Sequence, residues 1–167
     1  MGPAFAAIGA GIAALLEATT VSRYQFANSQ LEISLVFAVA VTVVFGFEEG
    51  MAWAFVGGLM ADFLTLRPMG STAFELLVVV GATDVAVPLM SRARYPGCIA
   101  AVLVLTPVYL IVSDMVAALL QPPAPTLQIS GLVITALVNA VAAAVVTPLM
   151  LGLKRRAELR ERQIWWR

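Results

Sequence analysis

The stretch GMAWAFVGGLMADFLTLRPMG, residues 50–70, decides how this chain is interpreted. It is an apolar run of helical length with an aspartate near its end. Four of its residues recur at intervals of four and therefore share one stripe of a helix: Gly50, Ala54, Gly58 and Asp62. Small residues at this spacing let another membrane helix approach closely. The stripe predicts an interface, either with another helix of this chain or with a partner protein.

The rest of the chain is as apolar as this stretch. Of its 167 residues, 61% are hydrophobic and 12% are charged, and the mean hydropathy is +0.95. A soluble domain of this size cannot bury so much apolar surface, so the composition indicates an integral membrane protein. Because a hydrocarbon layer of about 30 Å is crossed by about 20 helical residues, spans can be counted by length.

Six apolar runs reach roughly this length: residues 3–21, 31–47, 50–66, 71–90, 97–120 and 129–153. They are apolar on every face instead of alternating in polarity, which favours helices over strands. The sequence predicts an all-α integral membrane protein, a six-transmembrane-helix bundle. Its expected parts are a transmembrane domain over residues 1–153 and a basic cytoplasmic C-terminal tail over residues 154–167.

The basic residues orient this bundle, because lysine and arginine are retained on the cytoplasmic side. With six spans both termini face the same compartment. Eight basic residues lie on that side: Arg92, Arg94, Lys154, Arg155, Arg156, Arg160, Arg162 and Arg167. Only Arg23 and Arg67 lie on the other side. Both termini are predicted to be cytoplasmic.

Five acids fall toward the outer ends of the predicted helices: Glu17, Glu32, Asp62, Glu75 and Asp114. Glu32, at the start of the second helix, is expected to cap it, since the helix dipole favours negative charge there. The remaining four, together with Arg67, form a predicted outer polar patch. Asp62 and Glu75 are either held by Arg67 or by interfacial water, or they line a polar pocket or meet the cation of a partner.

The end of the chain carries a second set of charges. Lys154, Arg155 and Arg156 directly follow the last apolar run, where they attract anionic lipid. Trp165 and Trp166 are typical anchors at a membrane interface. These five residues are predicted to fix the C-terminal end to the inner leaflet. Asn139, within the last run, is expected to hydrogen-bond to a neighbouring helix or, alternatively, to hold a ligand.

No pattern in the sequence predicts catalysis. The chain has no histidine and one cysteine, Cys98, so the usual zinc ligand sets are missing. No glycine-rich phosphate loop and no nucleophile beside a general base is evident. We therefore expect a protein that is not an enzyme and that has no cofactor, no metal and no nucleic-acid partner.

Several of these stretches resemble the rod shape-determining protein MreD family. Glu17-Ala-Thr-Thr20 stands where the family tends to have Leu-Gln and small or hydroxyl residues. Leu31-Glu32-Ile33 stands where Pro-Asp-Leu is usual. The most specific part is Gly50 to Asp62 followed by Arg67-Pro-Met-Gly70, which is similar to the family's glycine-rich third helix, its Gly-Leu-x-x-Asp and its Leu-Gly turn.

The resemblance implies a non-enzymatic component of the bacterial cell-elongation machinery in the cytoplasmic (inner) membrane. Such a protein binds the scaffold MreC and works alongside the RodA polymerase and its class B penicillin-binding transpeptidase. It thereby helps to position or regulate side-wall peptidoglycan synthesis, with the MreB filament as a partner that need not touch it directly. The sequence leaves undecided whether the protein forms a homodimer.

The family also looks similar to the six-helix substrate-binding subunits of energy-coupling-factor vitamin transporters. This similarity supplies the alternative, a membrane subunit that binds a small solute. In that interpretation the outer acids line a pocket for a cationic or amine-bearing molecule. Transport subunits of this kind usually show an AxxxA face on the first helix, which AFAAIGAGIAA fits only loosely.

Overall fold

The structure, a computed structural model, describes residues 3–20, 31–90, 94–120 and 129–164. Within these ranges the chain forms six helices and no strand, so the prediction of an all-helical protein is confirmed. The helices are α1 (Pro3–Thr20), α2 (Ile33–Val44), α3 (Phe47–Thr65), α4 (Ser71–Met90), α5 (Arg94–Leu120) and α6 (Ile129–Ile164).

Four helix boundaries differ from the sequence prediction by three residues or more, and two of them are helix starts: α3 begins at Phe47 instead of Gly50, and α5 begins at Arg94 instead of Gly97. The second helix ends at Val44 instead of continuing to Phe47. The chain breaks at Gly46, which adopts a φ of 132°, and α3 begins at the next residue. The sixth helix does not end at Leu153 but continues to Ile164. The residues that follow Leu153 are mostly Lys, Arg, Glu, Ala and Leu, which are strong helix formers.

Helix α2 is the centre of the fold. It contacts each of the other five helices, which surround it in the order α1, α3, α4, α5, α6. The ring is open, because in the described part of the chain α1 and α6 make no contact with each other. The α2 side chains on every face are buried, including Leu35, Val36 and Val39. With 12 residues, α2 is about 18 Å long, shorter than a bilayer core.

The outer surface of the bundle is apolar. On α6 an exposed stripe recurs every four residues through Val133, Leu137, Val141, Val145 and Leu149. It continues to Leu153 at the same spacing, so it extends about 30 Å along the helix, the thickness of a hydrocarbon layer. Similar exposed apolar side chains lie along α5. A soluble protein rarely exposes a continuous apolar stripe of this length.

The interior, in contrast, contains polar groups. The fully buried side chains include Asp62, Glu75, Thr83, Thr106, Asn139 and Thr147. Polar residues inside and apolar residues outside are typical of membrane proteins. Two of the described helices are long and apolar enough to cross a membrane, over Tyr95–Leu120 and Gly131–Arg156. These features favour a membrane protein, while the number of spans and the side on which the termini lie stay predictions.

Candidate functional site: a polar cluster at one end of the bundle

The predicted polar residues gather where α1 and α3 end and α2 and α4 begin. Asp62, fully buried in the last turns of α3, binds the start of α4. Its Oδ2 accepts a hydrogen bond from the Gly70 amide at 2.7 Å, and its Oδ1 accepts from the Ser71 hydroxyl and the Thr72 amide at 3.0 Å each. Amides at a helix start have no partner within the helix. Asp62 therefore serves as the cap of the following helix.

The small-residue stripe in front of Asp62 contacts two other helices of this chain, α2 and α4. A Cβ added at Gly58 would lie 2.5 Å from the backbone nitrogen of Ala73 and 2.9 Å from its Cβ, so α3 and α4 are in backbone contact there. Gly50 meets Thr42 of α2 in the same way, with the added Cβ 3.0 Å from the threonine Cβ. Ala54 is fully buried. The stripe thus lies inside the bundle, against α2 at one end and α4 at the other.

Glu17 repeats, between α1 and α2, what Asp62 does between α3 and α4. Its Oε2 accepts from the Ser34 amide at 2.9 Å and also from the Ser34 hydroxyl. The expectation that Glu32 caps α2 is wrong: it occupies the N-cap position, but its side chain makes no capping hydrogen bond. The carboxyl group of Glu32 lies instead beside that of Glu17.

Arg67, in the turn between α3 and α4, links two more helices. Its Nη2 forms an ion pair with Glu75 Oε1 at 3.2 Å and donates to the Ser113 hydroxyl of α5 at 3.3 Å. Its Nη1 donates to Thr72 Oγ1 at 3.2 Å. Arg67 thus pairs with Glu75, whereas Asp62 is held by the backbone of the turn. The second oxygen of Glu75, Oε2, is buried and has no hydrogen-bond partner.

Asn139 adds α6 to this arrangement. Its Oδ1 accepts from the Glu32 amide at 3.1 Å, and its Nδ2 approaches Thr106 Oγ1 on α5 at 3.4 Å. Asn139 is fully buried, and its contacts join α6 to the start of α2 and to α5. This is a cross-helix role of the kind that the sequence suggested for it.

We call Glu17, Glu32, Asp62, Arg67, Glu75 and Asn139 the polar cluster. Every helix supplies to it a side chain or a direct partner. Asp114 is half-buried on α5, next to the Arg67 partner Ser113. Ser113 and Ser34 were not singled out in the sequence, because an isolated serine in an apolar run has no local pattern that indicates a distant partner.

The polar cluster holds four carboxyl groups and one guanidinium. Within the described ranges no group of three or more His, Cys, Asp or Glu side chains could hold a metal ion. Most of the polar atoms serve as caps and cross-helix bonds, so the cluster mainly fastens the helices together. Within the described residues the buried Glu75 Oε2 has no hydrogen-bond partner of good geometry, although the hydroxyls of Ser113 and Tyr109 lie near this carboxyl group.

The predicted membrane anchors lie at the opposite end. Lys154 is half-buried: its Nζ donates to the Val44 carbonyl at 2.7 Å and lies 6.0 Å from the centre of the Phe45 ring. Arg155 and Arg156 are exposed on the next positions of α6. Trp165 and Trp166 fall outside the residues that the structure describes, as does Arg23.

Comparisons of this chain with family models, with curated proteins and with solved structures find no match. The fold and the polar cluster therefore assign the chain to a structural class and not to a family. In its described part it is an all-helical protein with an apolar surface, an apolar core that contains several buried polar groups, and two helices able to cross a membrane.

Proposed function

We propose that this chain is a non-enzymatic membrane component of the bacterial cell-elongation machinery. In this role it binds an MreC-like scaffold in the inner membrane, with both termini in the cytoplasm, and helps to position side-wall peptidoglycan synthesis. A RodA-like polymerase and its class B penicillin-binding transpeptidase belong to the same complex. An MreB-like filament acts through these partners.

The observation that carries this proposal is the role of the residues on which the resemblance rests. Gly58 and Asp62 together fasten α3 to α4, through backbone contact with Ala73 and through the Asp62 cap. A structural role of this kind explains the motif without a bound substrate. It suits a scaffold protein, because the function of such a protein depends on a surface of fixed shape.

The α3–α4 turn offers a surface for such a partner. Four large apolar side chains are exposed around it: Phe63 (68%), Leu66 (91%), Met69 (67%) and Phe74 (57%). We call these four residues the hairpin tip. Aromatic residues and methionine are enriched in protein interfaces. A scaffold of this kind crosses the membrane with a single helix. A hairpin tip on the outer side would meet that helix where it leaves the membrane.

A co-purification experiment with matched variants tests the proposal. The double variant Leu66→Asn/Met69→Gln makes the hairpin tip polar, and asparagine tolerates the left-handed backbone that Leu66 adopts at φ 56°. Met115→Gln is the control, since it makes the same change at a methionine of similar exposure on α5 (63%). We expect recovery of the MreC-like scaffold to fall about tenfold in the double variant, a loss of about 1.4 kcal/mol.

The experiment distinguishes a wrong interface from a wrong function. Full recovery of the scaffold with the double variant would exclude the hairpin tip as the interface. Failure of the unmodified chain to recover MreC-like and RodA-like proteins would overturn the proposed function itself.

The buried Glu75 Oε2, which lacks a hydrogen-bond partner of good geometry within the described residues, is the observation that favours one alternative, a solute-binding transport subunit. An open acceptor among several carboxylates would suit a cationic or amine-bearing solute. Recovery of an ATPase pair in the same co-purification would support this alternative. The capping bonds of Glu17 and Asp62 count against it, because those two carboxylates are already occupied.

A further inference from the structure

The gap in the helix ring contains a cavity that extends from Leu16, next to Glu17 of the polar cluster, to Leu153 near the opposite end of the bundle. Helices α1 and α6 form its two sides, and α2 and α3 form its floor. Its lining includes Ile12 and Leu16 of α1, Phe37 and Val41 of α2, and Leu153 of α6. We call this cavity the α1/α6 slot. Trp53 of α3 also lines it and stacks on Phe37, with ring centres 5.4 Å apart and planes at 9°.

The size and lining of the slot restrict its occupant. Its volume is about 220 Å³, and its surface is almost entirely apolar. An α-helix with side chains is about 10–12 Å wide and would have to push α1 away from the bundle. Pockets for drug-sized ligands begin at about 300 Å³ and carry a few polar groups. A single hydrocarbon chain satisfies both the size and the lining.

One end of the slot lies beside the ammonium group of Lys154. Lys154 follows the lining residue Leu153, and its Nζ lies 6.0 Å from the centre of the ring of Phe45, which also lines the slot. Among the side chains that the structure describes, Lys154 uses one of its three ammonium donors, for the Val44 carbonyl. Glu49 adds one negative charge to the lining and the exposed Glu48 precedes it in the sequence, while the exposed Arg155 and Arg156 follow Lys154 on α6.

We propose that the α1/α6 slot binds one acyl chain of an anionic phospholipid, whose phosphate lies at Lys154. The apolar lining accepts the chain, and the ammonium group selects the headgroup by charge. This site goes beyond general attraction of the C-terminal bases to lipid, because it predicts a fixed place for the chain beside Trp53. It does not rest on the proposed role in cell elongation.

Fluorescence of Trp53 tests the site directly. The chain has three tryptophans, so the full-length variant Trp165→Phe/Trp166→Phe keeps Trp53 alone. It is placed in phosphatidylcholine vesicles that contain a small fraction of lipid with brominated acyl chains, which quench tryptophan on contact. Brominated phosphatidylglycerol is compared with brominated phosphatidylcholine. We expect half-maximal quenching at about a fivefold lower fraction of the anionic lipid, the selectivity of one basic residue near the headgroup.

Two further variants locate the effect. Lys154→Gln is expected to abolish the preference for the anionic lipid while quenching persists. Ala13→Phe, which fills the slot from α1, is expected to reduce quenching by both lipids, and Val145→Phe on the exposed face of α6 serves as its control. If Ala13→Phe fails to fold, Lys154→Gln still tests whether the preference for the anionic lipid depends on the headgroup contact at Lys154.

Equal quenching by the two brominated lipids in the parent would overturn the proposal, as would a preference that survives Lys154→Gln. If Ala13→Phe and Val145→Phe show the same quenching, the acyl chain lies outside the slot, and this result would also overturn the proposal. Protection of Trp53 only when a partner protein is present would assign the slot to a protein helix and would also overturn the proposal.

Discussion

The carboxylate of Asp62 accepts a hydrogen bond at 3.0 Å from the backbone amide of Thr72, ten residues further along the chain. An aspartate at the end of one helix thus caps the next one, and Glu17 does the same for the Ser34 amide. Two successive helix pairs are closed by the same device. In a membrane this matters more than in water, because an unpaired amide there has no solvent to bind.

Removing the Asp62 cap should loosen the hairpin of α3 and α4. Asp62→Ala leaves the amides of Gly70 and Thr72 without their acceptor, so we expect unfolding free energy to fall by about 2 kcal/mol. Asp62→Asn keeps one acceptor oxygen and should lose less. Thermal unfolding in detergent measures both. A midpoint for Asp62→Ala equal to that of the parent would contradict the capping role.

Backbone contact at Gly58 makes a second prediction. Gly58→Ala places a methyl group against Ala73 and forces α3 from α4, at an expected cost of about 1–3 kcal/mol. Gly81→Ala on α4 is the matched control, since nothing lies within 4 Å of its added Cβ. The control should be neutral or stabilising by up to about 1 kcal/mol. Equal unfolding midpoints for the two variants would show that the close approach is unimportant.

The pair of Arg67 and Glu75 should show strong coupling. Arg67→Gln leaves the buried Glu75 carboxylate without its cation, and we expect a loss of about 2 kcal/mol. This is below the range for fully buried pairs because the Arg67 side chain is 34% exposed. The double variant Arg67→Gln/Glu75→Gln should be more stable than Arg67→Gln alone. Strictly additive losses in this double-mutant cycle would argue against the ion pair.

The orientation of the chain can be tested with single cysteines. Cys98 is fully buried and should not react with a membrane-impermeant maleimide. Met69→Cys, at the hairpin tip, should be labelled from outside in spheroplasts, where the inner membrane is intact and exposed. Arg155→Cys should be labelled only after the membrane is permeabilised, since positive charge is retained inside. The reverse pattern would place both termini outside.

Part of the fold was readable from local sequence. The apolar runs located the helices because helix formation depends on neighbouring residues. Local residues also account for the Arg67–Gly70 turn, because proline ends a helix and glycine allows a positive φ, and Gly70 adopts a φ of 93°. The helix boundaries around Gly46 were missed, since a single glycine between two apolar runs gives little indication of a break.

The partners of the polar residues could not be read in the same way. Asp62 and Glu75 were both candidates for Arg67, yet only Glu75 pairs with it. Asp62 reaches the backbone amides of the next helix, and amides are present at every position, so no residue type marks them. Glu32 was expected to cap α2, but Glu17 approaches Ser34 from α1 and takes that place.

The amino-acid sequence by itself determined the apolar composition, the helical class and the approximate place of the helices, because composition and short-range periodicity decide these. Only the tertiary structure decided that α2 stands at the centre, that α1 and α6 leave a slot open, and that Asp62 binds the start of α4. These features depend on which helices meet, and that is settled by packing between residues far apart in the chain.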